Sequence, residues 1–80
     1  MTTALLMECV EARLKIHFSD DKVSLAVVNR PDAGESLCVF VKDVSSYVSI
    51  EGAEDLHDAD EVANTLIANI ERVLARRKNE

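Results

Sequence analysis

Between Asp32 and Glu61 the chain carries nine Asp and Glu residues against one basic residue, Lys42, while residues 1–31 balance four acids with four bases. Six of the nine, Glu51, Glu54, Asp55, Asp58, Asp60 and Glu61, fall within eleven residues. Carboxylates this dense can cap a helix, bind a hard cation or present negative charge to a basic surface. Capping accounts for one or two of them, each stabilising a helix by roughly 0.3–1 kcal/mol when it lies before or within the first turn. Six together repel one another, and that repulsion asks for a further reason or a partner.

His57 adds one imidazole to this set of hard oxygens. The spacing does not match the calcium loop, which needs alternating acids, a glycine at its sixth position and a glutamate at its twelfth. Gly52 precedes the acids and cannot make that turn, so no metal or cofactor is expected. Cys9 and Cys38 could act as nucleophiles with His17 or His57 only as thiolates in an electropositive, partly exposed setting. Cys38 lies in the most apolar segment and reads as a small core residue. Cys9 sits between Glu8 and Glu11, whose charge has the wrong sign to favour a thiolate. No pair of residues suggests catalysis, and the chain is expected not to be an enzyme.

Direct nucleic-acid binding is not expected either. With one tyrosine, two phenylalanines and no tryptophan, aromatic platforms for stacking bases are scarce. The bases Arg72, Arg76, Arg77 and Lys78 are few, and a helix C-terminus accounts for them. A net charge of −6 opposes anionic lipid and naked nucleic acid and favours a basic protein surface as partner. No apolar run approaches the roughly 20 residues of a membrane span.

Eighty residues make one small α+β domain over residues 1–80, a size that buries only about 60% of its unfolded surface. One proline and two glycines speak against a disordered chain. Two cysteines are too few for a disulfide framework, and residues 1–8 lack the positive start and long apolar core of a signal peptide, so a cytoplasmic setting is expected.

The elements follow from periodicity. Val10, Ala12, Leu14, Ile16 and Phe18 alternate with Glu11, Arg13, Lys15 and His17, as in a half-buried strand. Residues 4–14 are also rich in helix formers, so a short helix over residues 3–11 feeding a strand from about Arg13 stands as the alternative. Turn residues 19–22 and the β-branched run 23–28 suggest a hairpin. A second turn follows over residues 29–35, where Pro31 precedes Gly34 and the glycine is free to take positive φ. Leu37-Cys38-Val39-Phe40-Val41 is apolar on both faces, as expected of a central strand covered on both sides by the N-terminal helix or a dimer mate. Residues 44–50 form a weaker strand.

The C-terminal helix is marked by Val62, Ala63, Leu66, Ile67, Ile70, Val73 and Leu74 on one stripe, with Asp58 or Asp60 as its cap and Arg76, Arg77 and Lys78 in its last turn. The expected fold is therefore a three- or four-stranded antiparallel sheet packed by a long C-terminal helix, with or without a short N-terminal one.

The function expected is binding. Glu51, Glu54, Asp55, Asp58, Asp60 and Glu61, with Asp32, Glu35 and Asp43 as additions, would present an acidic patch that imitates a phosphate backbone to a protein built to hold DNA or RNA. In size, acidity and want of catalytic motifs the chain resembles the small phage-encoded inhibitors called anti-CRISPR proteins. This resemblance is one of profile and transfers no residue role. The alternative is a small self-associating structural or regulatory module, monomer or homodimer, whose acidity serves only solubility.

Overall fold

The structure, a computed structural model, describes residues 2–78. Its elements run α1 (Thr3–His17), β1 (Val23–Arg30), β2 (Gly34–Val41), β3 (Val44–Ser49) and α2 (Leu56–Lys78). The strands form one antiparallel sheet in the order β1-β2-β3, and both helices pack on the same face of it, α1 over β1 and α2 over β3. This is the α+β arrangement expected, with the N-terminal helix present and three strands in the sheet.

Residues 10–18 do not form a strand. Thr2 is extended (φ −77, ψ 157) and its hydroxyl accepts the Leu5 amide at 3.2 Å, so the chain enters a helix at Thr3 that continues to His17. The helix is longer than the short version considered, and no strand begins at Arg13. Alternation over nine residues fits either period loosely, and burial separates the two readings. Leu6, Val10 and Leu14, spaced by four, are buried, whereas Ile16, which a strand would bury beside Leu14, is 78% exposed. Residues 19–22 accordingly join a helix to β1 and close no hairpin.

The turn over residues 31–33 closes β1 on β2, with Arg30 opposite Gly34, and Gly34 takes φ +73 as expected. β2 is the central strand, and Leu37, Val39 and Val41 are wholly buried beneath the helices. Its other face is not covered as expected. Cys38 is buried there, but Phe40 is 45% and Tyr47, on β3, 47% exposed.

Val62, Ala63, Leu66 and Ile70 of α2 complete the core, each large apolar side chain stabilising the fold by about 1.5–3 kcal/mol on burial. Along α1, Arg13 meets Asp60 and Asn64, and His17, further on, meets Glu71, further along α2. The two helices therefore run in the same direction, with both N-termini at one end of the molecule. Among the described residues no helix is long and apolar enough to cross a membrane.

Candidate functional site

The end that holds both helix N-termini also holds the β1–β2 turn and the β3–α2 loop. Segments far apart in sequence meet there. The Glu51 carboxylate accepts the Glu35 amide at 2.9 Å, the Thr3 hydroxyl donates to Glu35 Oε1 at 3.4 Å, and the Ser49 hydroxyl donates to the Ala33 carbonyl at 3.2 Å. Gly34 makes the meeting possible, because a Cβ at this position would lie 2.7 Å from Glu51 Oε1. Eight of the nine expected carboxylates, all but Asp43, lie on this turn, the start of β2, this loop or the first two turns of α2.

Asp43 is the exception. It lies in the β2–β3 turn at the opposite end, where Arg77 donates to it at 2.5 Å. The arginine, chiefly through that hydrogen bond, holds the Asp43 carboxyl below the ordinary aspartate range.

The cap of α2 also differs from expectation. Asp55 precedes the helix, its carbonyl accepts the Ala59 amide at 3.1 Å and its Oδ1 accepts the Asp58 amide at 3.0 Å. Asp58 Oδ2 reaches back to accept the amides of Glu54 at 2.8 Å and Asp55 at 3.4 Å. This reciprocal arrangement is a capping box with aspartate at both positions, so Asp55 caps the helix and Asp58 supports it. The Glu54 amide is the main cause of the lowered Asp58 pKa, and the Asp55 amide adds to it. Asp60 does not cap. Its carboxylate receives the Arg13 guanidinium at 2.7 Å, while Arg13 also donates to Asn64 Oδ1 at 2.8 Å.

No family model, curated protein or solved structure matches this chain.

Several of the carboxylates thus serve the fold as well as the surface. Asp55 and Asp58 cap α2, Asp60 ties α1 to α2, Glu51 fixes the β1–β2 turn, and Glu61 lies 3.2 Å from His57 one turn away on α2. Glu51, Asp58 and Glu61 also line a shallow open groove of about 230 Å³ between the end of β3 and the start of α2, floored by Val48 and Val62. Among the described residues no three His, Cys, Asp or Glu side chains are grouped to hold a metal ion. Two helix N-termini concentrate positive partial charge at this end, which offsets part of the repulsion that the sequence implied.

Two features escaped the sequence reading. Arg13 and His17 read there as part of the polar face of a half-buried strand, and they are instead the residues by which α1 grips α2. The uncovered sheet face gathers Phe40, Tyr47 and Arg30, whose guanidinium lies 5.4 Å from the Tyr47 ring centre. The Cys38 thiol, chiefly through a hydrogen bond, raises the Tyr47 pKa. Alternation along β1, β2 and β3 would have placed these residues together once the first strand was recognised as a helix.

Proposed function

We propose that the protein is a non-enzymatic binding module that offers its acidic end to a basic protein surface, one that otherwise holds DNA or RNA. The observation that carries this reading is the convergence of Asp32, Glu35, Glu51, Glu54, Asp55, Asp58, Asp60 and Glu61 on one end from two separate stretches of chain, residues 32–35 and 51–61. Internal partners leave net negative charge there: Asp60 meets an arginine, but the cap and turn bonds of Asp55, Asp58 and Glu51 come from neutral amides. Clustered charge of one sign steers a partner of opposite sign and competes for the lysines and arginines that would grip phosphates. The likeness in profile to anti-CRISPR proteins fits an inhibitor of such a partner.

The test compares the parent with the variant Asp32→Asn, Glu35→Gln, Glu54→Gln, Glu61→Gln, chosen to leave the Asp55–Asp58 cap and the Arg13–Asp60 pair intact. Each is immobilised after circular dichroism confirms its fold, then exposed to nuclease-treated lysate of the native source. The proposal expects proteins that the parent retains at low salt and releases at high salt, and that the variant fails to retain. Equal retention by both would overturn it.

A further inference from the structure

Helix α1 carries two apolar rows. Leu6, Val10 and Leu14 are buried in the core. Leu5, Cys9, Ala12 and Ile16, spaced by four, three and four residues, lie roughly 130° further round at about 100° per residue. Leu5 is 46% and Ile16 78% exposed, Ala12 is exposed and Cys9 half-buried as a free thiol. Among the described residues Ile16 is the most exposed of the large apolar side chains. Spacing of four, three and four is that of the seam positions along which coiled-coil helices interlock. Cys9 packs in part against the core of its own chain, whereas Leu5, Ala12 and Ile16 lie exposed on a helix whose other apolar row is already buried.

We propose that this row docks onto the same row of a second copy, the two α1 helices packing antiparallel about a twofold axis. Charge selects this occupant. Glu8 and Lys15, one heptad apart, border the row on the side away from α2. In an antiparallel pair Leu5 meets the partner's Ile16, Cys9 meets the partner's Ala12, and Glu8 of each copy falls beside the partner's Lys15, so the pattern complements itself twice. A parallel pair would need the cation on the other border, Arg13, which Asp60 and Asn64 already hold at 2.7 and 2.8 Å. Lys15 lies 2.8 Å from Glu11 of its own helix and would be shared between the two carboxylates. The small side chains of Cys9 and Ala12 at the centre let the helix axes approach closely. Antiparallel pairing directs the two acidic ends to opposite poles, and the inference stands whether or not those ends bind a partner.

Sedimentation equilibrium of the full chain over a wide concentration range tests it. The parent is expected to dimerise. Ile16→Glu is expected to raise the dissociation constant at least about tenfold with an unchanged circular dichroism spectrum, because the residue is exposed in the monomer. Glu8→Lys sets like charges across the seam and weakens the dimer, and combining it with Lys15→Glu recovers the association. A short bismaleimide is expected to join the two Cys9 thiols beside the axis. The proposal is overturned by a parent that stays monomeric up to its solubility limit, by a dimer indifferent to Ile16→Glu, by failure of the double exchange to recover association, or by a dimer that Phe40→Asp on the sheet face dissolves instead.

Discussion

Asp55 and Asp58 hold each other through the backbone, each carboxylate accepting the other's amide, and replacing Asp55 by alanine is expected to cost about 1 kcal/mol in urea denaturation. Asp58 and Asp43 carry a pH signature as well. Each has a lower pKa folded than unfolded, Asp58 chiefly through the Glu54 amide and Asp43 chiefly through Arg77. A carboxyl lowered on folding stabilises the native state above its unfolded value, about 3.9, and that contribution disappears as pH falls through the folded value. Asp58→Asn and Asp43→Asn are thus expected to lower the urea midpoint at neutral pH, with the gap from the parent closing in acid. A gap that stays constant to the lowest pH at which the chain folds would show that charge is not its source.

Gly34 and Gly52 form an internal control at the same scale. Both have positive φ, +73 and +81, but an added Cβ meets Glu51 only at Gly34 and nothing within 4 Å at Gly52. Gly52→Ala is expected to cost the backbone term alone, about 1–2 kcal/mol, and Gly34→Ala more, by what displacing Glu51 from the Glu35 amide costs. Equal losses in thermal or urea melts would mean that Glu51 swings aside freely. The need for a glycine at residue 34 was legible from the proline three positions earlier. The carboxylate lying against it was not, because Glu51 is seventeen residues away and arrives only when β3 pairs with β2.

Elements were legible in proportion to how many turns or alternations their pattern spanned. α2 repeats its apolar stripe over several turns, and Val62, Ala63, Leu66 and Ile70 are buried with Ile67, Val73 and Leu74 half-buried. β1 was legible from its β-branched run and β2 from a run apolar on both faces, while β3, the weaker reading, is a strand whose Val44 and Ser46 face the core. α1 was ambiguous for a physical reason. It is apolar on two sides, so its residues satisfy a two-residue alternation nearly as well as a helical period, and only the cap at Thr2 and the burial of every fourth residue decide between them. The decision is testable with two substitutions. Leu14→Ala is expected to cost about 2–5 kcal/mol, and Ile16→Ala, in dilute solution, within about 0.5 kcal/mol of nothing. In a strand the two side chains would share a face, and comparable losses would contradict the helix.

At the scale of the whole molecule, parallel helices on one face of a three-stranded sheet bring both helix N-termini and two loops to a single end, and that end receives the acids. The sequence showed the acidic run from Glu51 to Glu61 directly. It could not show that Glu35 and Asp32 join that run while Asp43 departs to Arg77 at the far end, since strand direction decides both. Nor could it separate carboxylates that cap or clamp from those that remain available to a partner, because that division depends on which amides and guanidinium groups lie within reach. The central claim is that the acidic end occupies a site built for a nucleic-acid backbone. It is tested most directly by loading the immobilised parent chain from nuclease-treated lysate of the native source and washing with duplex DNA at constant ionic strength. The account predicts that DNA releases the bound proteins and that they are nucleic-acid-handling ones. Retention of all bound protein in the presence of DNA, or recovery of nothing beyond the chain itself, would contradict it.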